Sequence, residues 1–274
     1  MTQRAFLALD GGGSGSRAVL RRPGQPDVAG TGGPANAYSD LAGTAQNLAD
    51  LAAQTAERAG VTIPPVVAGV AGCRLPEIAG ALAERLPFAT QIHDDSVTAA
   101  YGALGAEDGI VVNLGTGSFV LRKVGTHIRS VGGWGFTLGD GASGAWFGRE
   151  AVAAALRAED GLAPHDALTK ALIAPHPLLR FRDAGPADFA ALAPLVFDHA
   201  TTPTATRLIA GAITEIEWAI ASFKASATEP ILLVGGVAAR LADHAPPALQ
   251  ARLRAAKGSP LDGAVYLAER ASRV

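Results

Sequence analysis

Leu9–Ser16 reads LDGGGSGS, and this stretch decides the fold because it sets an acid and a cluster of glycines between two apolar segments. The apolar run Ala5–Asp10 and the alternating segment Ser16–Arg22 predict two strands, so the glycines form the turn of a hairpin. Glycines in a turn allow backbone N–H groups to approach an anion, since no Cβ stands in the way. The stretch therefore predicts either a phosphate-binding hairpin or a plain hairpin with a glycine turn.

Two common phosphate-binding motifs fit this stretch poorly. A Walker A loop requires Gly-Lys-Ser/Thr, which does not follow here. The Rossmann pattern is formally present from Gly13 to Ala18, but it requires a helix where Ser16–Arg22 alternates like a strand. A phosphate hairpin of the actin or hexokinase type fits better, because the acid at the strand end, Asp10, can then hold Mg²⁺ through water. The phosphate ligands would be three residues of the turn: Gly12, Gly13 and Ser14.

The same pattern recurs roughly one hundred residues later, which suggests two related lobes. Gly109–Leu114 is an apolar strand, Gly115–Gly117 is a tight turn, and Ser118–Lys123 is a second strand. Two such turns can grip a triphosphate from both sides. The hydroxyl of Thr116 and the backbone of Gly117 are the ligands expected from the second turn.

A third element lies near the carboxyl end. Pro230–Val234 predicts a buried strand that leads through Gly235 and Gly236 into a helix. A flat adenine ring could lie against the bare backbone of these two glycines. Such a junction is common by itself, so this assignment depends on its position after the two glycine turns.

Helical segments separate these elements. A helix is expected from near Asp40 to Arg58, with Ser39 as its N-cap and Gly60 at the C′ position. Periodicity predicts four more helices in the second half of the chain: Ser143–Ala158, Ala187–Ala200, Pro203–Ala225 and about Leu261–Ala271.

Seven stretches together resemble the family that joins the N-acetylglucosamine kinases to the BadF/BadG-type ATPases, within the actin–hexokinase superfamily. They cover nearly the whole chain: LALDGGGSGSRAVL from Leu7, GGPANAYSD from Gly32, HDDSVTAAYGAL from His93, NLGTGSFV from Asn113, GGWGFTLGDGASGAWFGREAV from Gly132, LVGGVA from Leu233 and PLDGAVYLA from Pro260. The resemblance implies an α/β fold of two ribonuclease-H-like lobes with a cleft between them. The lobes would span residues 1–107 and 108–274, with the last helix free to pack back on the first lobe.

The resemblance also implies an ATP-dependent amino-sugar kinase with ATP and Mg²⁺ as cofactors and a small sugar as substrate. Kinase chemistry on a hydroxyl needs a carboxylate near the acceptor. Asp94 and Asp95 stand at the end of an expected strand that enters a helix, where one of them is expected to cap that helix. By the family pattern Asp95 is the base and Asp94 its variable neighbour, although Asp94 stays the alternative.

Besides Asp95, three residues are expected to bind the sugar, each with a plainer alternative. Asn36 presents an amide on a rigid loop or simply belongs to a turn. Trp134 stands among glycines, where it offers a platform to a sugar's C–H face unless it is ordinary core. Asp140 could bind two hydroxyl groups or cap a turn. The resemblance favours the sugar-binding interpretation for all three.

Two departures from the family pattern leave the sugar open. Relatives read GDEGSG where this chain has Gly139–Gly144 without the Glu, and many N-acetylglucosamine kinases have Asn where this chain has Phe119. Glucosamine and N-acetylglucosamine are therefore both expected substrates, with transfer to the 6-hydroxyl implied by the resemblance. A kinase for another sugar remains an alternative.

Composition excludes several other classes. The net charge of −2 predicts neither a nucleic acid nor an anionic membrane as partner, and no apolar run reaches a membrane-spanning length. A BadF-type ATPase that activates a dehydratase or reductase shares an iron–sulfur cluster across a dimer and normally supplies two cysteines per chain, whereas Cys73 is the only cysteine here. We expect a cytoplasmic enzyme, with a homodimer as a possible assembly.

Overall fold

The computed structural model describes residues 4–173 and 180–272. The chain divides into two compact units by the density of its internal contacts. The first unit comprises the residues up to Glu107 together with those from Ala256 onward, and the second comprises Asp108–Ala255. The carboxyl-terminal helix thus belongs to the first unit.

The sheet of the first unit has five strands in the order β3-β2-β1-β4-β5. They are β1 (Phe6–Gly12), β2 (Gly15–Arg21), β3 (Val28–Gly32), β4 (Val66–Val70) and β5 (Thr90–Asp94). The first three strands are antiparallel, whereas β4 and β5 run parallel to β1. Because parallel strands end at the same edge, the carboxyl ends of β1, β4 and β5 lie side by side, with Gly11 opposite Val70 and Val70 opposite Asp94.

The described residues of the first unit also form the helices α1 (Leu41–Ala59), α2 (Pro76–Arg85), α3 (Asp95–Leu104) and α11 (Pro260–Ala271). The predicted N-cap of α1 was wrong, since Asp40 and not Ser39 caps it by accepting the N–H of Gly43 at 2.8 Å. Gly60 does end α1 in the left-handed conformation, at φ +66°. The helix α11 lies against α3 so closely that a Cβ on Gly102 would lie 1.9 Å from the Ser259 carbonyl oxygen.

The sheet of the second unit repeats the pattern with four strands in the order β8-β7-β6-β9. They are β6 (Gly109–Leu114), β7 (Ser118–Val124), β8 (His127–Gly132) and β9 (Ile231–Val234). Strands β6, β7 and β8 are antiparallel, and β9 runs parallel to β6. A single parallel bridge between Ile231 and Leu253 stands where the first sheet has its fifth strand. The duplication predicted from the glycine turns is confirmed.

The second unit also holds α4 (Gly144–Glu159), α5 (Ala167–Leu172), α6 (Pro186–Ala190), α7 (Ala193–Asp198), α8 (Pro203–Ser222), α9 (Ala238–Ala242) and α10 (Pro247–Gln250). The single helix predicted over Ala187–Ala200 was wrong. Pro194 breaks it, because proline has no N–H to continue the helix and is favoured at the start of a new one. None of the described helices is both long enough and apolar enough to cross a membrane.

Candidate functional site

The tip of the first hairpin keeps its backbone N–H groups available. Gly12 and Gly15 pair across the hairpin, so that Gly13 and Ser14 form the turn. The carbonyl of Gly12 faces inward, where it accepts the N–H of Ala35 at 2.8 Å. Neither Gly13 nor Ser14 donates its N–H to another described residue. Two adjacent unused N–H groups at a strand end suit an anion.

The second turn also keeps backbone N–H groups available, while its carbonyl groups accept hydrogen bonds from elsewhere in the unit. Three successive carbonyls accept N–H groups from helix starts: Leu114 from Val237 (3.0 Å), Gly115 from Gly144 (2.8 Å) and Thr116 from Ala145 (3.2 Å). Neither Thr116 nor Gly117 donates its own N–H to another described residue. The carbonyl side of the turn is therefore fixed by the starts of α4 and α9, and the N–H groups of Thr116 and Gly117 remain available as donors to a ligand.

Asp94 and Asp95 follow each other at the carboxyl end of β5 but have different roles. Asp94 is the N-cap of α3, where it accepts the N–H of Ser96 at 3.1 Å and also the Ser96 hydroxyl. Asp95 is half-buried, and burial, reinforced by the negative charges of Asp94 and Asp10, raises its pKa to about 7. A carboxyl with a pKa near neutrality can accept a proton and still be partly ionised at physiological pH.

Asp10 lies on β1 at the same edge of the sheet. Burial raises its pKa above the ordinary value, and the nearby guanidinium of Arg17 partly offsets that effect. Asp10 and Asp94 are thus both close enough to Asp95 to oppose its ionisation. A bound cation would relieve this repulsion.

Asn36 lies beside the end of β4, where it forms an isolated parallel bridge with Ala71. Its Oδ1 accepts the N–H groups of Tyr38 (3.1 Å) and Ser39 (3.4 Å). Because that oxygen is occupied by the local turn, the Nδ2 group is the part of the amide that can contact a ligand. Asn36 is therefore suited to donate to a ligand oxygen.

Asp140 and Trp134 lie together in the second unit. The carboxylate of Asp140 accepts backbone N–H groups from Ser118 and Gly135, and it lies against Gly117, where an added Cβ would come within 2.6 Å of it. Burial still raises the pKa of Asp140. Its φ of +59° is the left-handed conformation that aspartate tolerates better than most residues. Trp134 is 64% exposed, so it is not ordinary core.

Gly235 brings the third glycine motif against the second turn. Its φ is +104°, and a Cβ there would lie 2.5 Å from the Leu114 carbonyl group. Only glycine allows this close approach. A cavity of about 310 Å³ opens beside it. Its lining is aliphatic apart from one arginine: Leu233, Val234, Gly235, Ala238, Ala239, Ala242, Leu253 and Arg254.

The predicted site residues thus form two groups, one in each unit. Asp10, Gly12, Gly13, Ser14, Asn36 and Asp95 lie at the carboxyl edge of the first sheet. Thr116, Gly117, Trp134, Asp140, Gly235 and Gly236 surround the end of β6 in the second unit.

A sequence model of the BadF/BadG/BcrA/BcrD ATPase family matches residues 7–250. The chain belongs to this family. It is 28% identical over 279 aligned residues to the glucosamine kinase GspK of Vibrio cholerae, with 96% of this chain and 95% of that protein covered. The crystal structure of a proposed N-acetylglucosamine kinase from Chromobacterium violaceum superimposes with a TM-score of 0.87 at 30% identity, covering 97% of this chain and 99% of the other.

A ROK family glucokinase from Streptomyces griseus, solved with glucose and AMPPNP, is more distant, with a TM-score of 0.57 at 17% identity over 97% of this chain and 98% of that one. It supports the fold alone. The α/β fold with two mixed sheets and the family resemblance are both confirmed. Membership of the BadF/BadG/BcrA/BcrD ATPases makes the chain an ATP-binding protein.

Sequence reasoning about this BadF/BadG/BcrA/BcrD ATPase missed several contributors to the site. The glycine-rich stretch after β8 signalled a loop, but nothing local showed that Arg149 donates to the Phe136 carbonyl at 3.1 Å. The lining residue Arg254 also gave no motif signal. A long side chain that reaches another segment becomes visible only when the fold is known.

Proposed function

We propose that this protein is an ATP-dependent amino-sugar kinase that phosphorylates the 6-hydroxyl of glucosamine or N-acetylglucosamine. The observation that carries the proposal is Asp95, a half-buried carboxyl with a pKa of about 7, at a helix start on the same sheet edge as the first phosphate hairpin. The names of the relatives from Vibrio cholerae and Chromobacterium violaceum support an amino sugar as the acceptor.

Phosphoryl transfer needs positioning and charge stabilisation more than covalent chemistry. Asp95 would accept the proton of the sugar hydroxyl and orient its oxygen toward the γ-phosphate. The N–H groups of Gly13, Ser14, Thr116 and Gly117, which are not donated to any described residue, would bind phosphate oxygens.

The adenine is assigned to the cavity beside Gly235 and Gly236. Its aliphatic lining suits a flat, largely apolar ring. A Cβ on Gly236 would meet no atom of the described residues within 4 Å, its chain neighbours aside, which leaves room against the backbone. Arg254 lines the same cavity, where its guanidinium can approach the ring or the ribose.

Asp10 fits the role of a Mg²⁺ ligand. Within the described residues, no group of three or more His, Cys, Asp or Glu side chains could hold a metal. That agrees with a nucleotide-borne Mg²⁺, which usually takes one or two carboxylates together with phosphates and water. When bound, the ion would neutralise phosphate charge, and it would also offset the negative charge of Asp10 that opposes the ionisation of Asp95.

The sugar would contact Asn36, Asp95, Trp134 and Asp140. The Nδ2 of Asn36 can donate to a hydroxyl oxygen, and the exposed indole of Trp134 offers a face for sugar C–H groups. The carboxylate of Asp140 already accepts two backbone N–H groups, so its remaining lone pairs are the ones available to hydroxyl groups.

The alternative of a dehydratase or reductase activator is disfavoured by the cysteine content. Such an activator needs thiolate ligands for an iron–sulfur cluster. Cys73 is the only cysteine of the chain and is buried, with a pKa raised to about 12 by burial and by the nearby Asp94 and Asp95. The cytoplasmic location and the homodimer remain predictions.

A panel of sugars in a coupled ADP-release assay tests the proposal, with the phosphate located by phosphorus-coupled NMR. Glucosamine and N-acetylglucosamine should each exceed glucose by about 10-fold or more in kcat/KM, because an unpaired buried partner costs about 1–3 kcal/mol. Glucose as good as both amino sugars would refute the amino-sugar assignment. No sugar-dependent ADP release at all would refute the kinase.

A further inference from the structure

The loop Gly133–Leu138, which carries Trp134, contains one half-buried residue. Phe136 is that residue, and the other five residues of the loop are exposed. Gly133 and Gly135 have positive φ values of +69° and +83°. Because glycine allows many backbone conformations, this loop keeps a single shape only if contacts from outside fix it.

One such contact is a column of three stacked rings, which we call the ring column: Phe136, Phe189 and Phe181. The ring of Phe136 stacks on Phe189 with centroids 5.5 Å apart, and Phe189 stacks on Phe181 at 5.4 Å. A guanidinium covers each end, with Arg149 5.2 Å from the Phe136 centroid and Arg180 5.0 Å from that of Phe181. Phe189 and Phe181 pack against the buried core of the second unit, so the column joins the exposed loop to that core.

The middle ring is fixed by helix α4. A Cβ on Gly148 would lie 1.9 Å from the Phe189 carbonyl oxygen, so the backbones of α4 and α6 are in direct contact there. The next residue, Arg149, donates to the Phe136 carbonyl at 3.1 Å and also covers its ring. Adjacent residues of α4 therefore hold both the loop and the ring on which it stacks.

The same helices also hold the second phosphate turn. The Cβ position of Gly144, at the start of α4, lies 3.2 Å from Ala190 of α6 and 3.2 Å from the Gly115 carbonyl oxygen. Stacked aromatic pairs contribute beyond the burial of their area, and a cation over a ring adds to this. Because Phe189 is the middle ring, removing it would abolish both stacking contacts of the ring column at once.

We propose that Phe189 is a positioning residue for sugar binding. It fixes the loop Gly133–Leu138 through Phe136 and thereby holds Trp134 where the sugar binds. This inference rests on the proposed kinase function for its kinetic consequence, but not for its structural one. Loss of the Phe189 ring should make the loop more mobile in the sugar-free protein. Sugar binding would then have to order the loop, which weakens the affinity for the sugar.

The test compares three variants of the full chain. F189L keeps an apolar side chain but removes the ring, F189Y keeps the ring, and F197L is the matched control. Phe197 is also half-buried in the helical segment between α5 and α8, but its ring contacts Phe147 and His244 instead of the loop. The measurements are hydrogen exchange of the peptide that covers residues 132–139, and steady-state kinetics with glucosamine and ATP.

For F189L we expect faster exchange in that peptide, by about 10-fold, and a KM for the sugar raised at least about fivefold. The kcat and the KM for ATP should change less than about twofold, since a general loss of folded enzyme would instead lower kcat. F189Y should behave like wild type, and F197L should leave loop exchange unchanged. Should F189L fail to fold, F136L breaks the same stack from the loop side.

Equal loop exchange in F189L and F197L would overturn the proposal, as would a KM for ATP that rises together with that for the sugar. If the wild-type protein phosphorylates no sugar, the proposed function is wrong. In that case the hydrogen-exchange result alone still decides whether the ring column positions the loop.

Discussion

Replacing Asp95 with asparagine should remove the proposed base and stabilise the fold at alkaline pH. The pKa of Asp95 is about 7 in the folded protein, against an ordinary value of 3.8. Between these values the folded state binds more protons than the unfolded state, so this group lowers wild-type stability as pH rises from about 4 to about 7. Asparagine carries no charge, so the D95N variant should not lose stability through this group over this pH range.

The magnitude follows from that pKa difference. Fully ionised Asp95 costs the folded state up to about 4 kcal/mol, since each pKa unit corresponds to about 1.4 kcal/mol. We expect D95N to gain about 2–4 kcal/mol at pH 8, because burial is incomplete, and to gain little at pH 4. For a chain of this size the gain corresponds to a rise of about 4–8 °C in Tm at pH 8.

Thermal unfolding followed by circular dichroism at several pH values measures the stability. The ADP-release assay measures the turnover, which should fall by roughly 10²–10⁴-fold in D95N. In wild type, kcat/KM should rise with pH through an apparent pKa near 7, because the base acts when ionised.

The neighbouring acid provides the control. D94N should keep the helix cap, since asparagine caps as well as aspartate, and should keep most of the turnover. It should shift the pH–rate profile toward lower pH, because a negative neighbour that raises the pKa of Asp95 is gone. Near-normal turnover in D95N, or no gain in its Tm at pH 8, would refute the assignment. A large loss of turnover in D94N instead would assign the base to Asp94.

Three further perturbations test other parts of the structure. Cys73 has a pKa of about 12, so iodoacetamide at pH 8 should alkylate the folded protein at least about 100 times more slowly than the unfolded chain; comparable rates would contradict its burial. Gly235→Ala should lower Tm because the new Cβ would meet the Leu114 backbone. Gly236→Ala should leave Tm unchanged and weaken ATP binding as measured by calorimetry. Equal Tm values for the two variants would argue against the close approach at Gly235. Asp40→Ala should destabilise the fold by about 0.5–2 kcal/mol in denaturant titrations, and Ser39→Ala should have little effect; the reverse order would restore Ser39 as the cap.

Some of the fold was predictable because its signals are local. Each glycine turn between apolar strands specifies a hairpin within about a dozen residues, and both hairpins were found at their observed positions. Strand β8 was missed, because His127–Gly132 alternates weakly and carries charge and glycine. The break before α7 was missed because the apolar pattern continues across Pro194.

The site divides in the same way. The sequence alone named the two glycine turns, the pair of acids and the glycine-rich loop, since these are short motifs whose chemistry depends on neighbouring residues. It could not distinguish Asp94 from Asp95 without the family pattern. Only the folded chain commits Asp94 to the cap of α3 and places Asp95 where burial and two other acids raise its pKa.

By itself, then, the sequence determined the two hairpins, their glycine tips and the acids at the strand ends. Tertiary structure decided what lies around them: the carboxylate of Asp140 on the backbone of Ser118, the exposure of Trp134, and the stack of Phe136 on Phe189. The physical reason is range. Turn conformation depends on the few residues of the turn, whereas burial, pKa and ring stacking depend on segments that are distant in the chain and meet only when it folds.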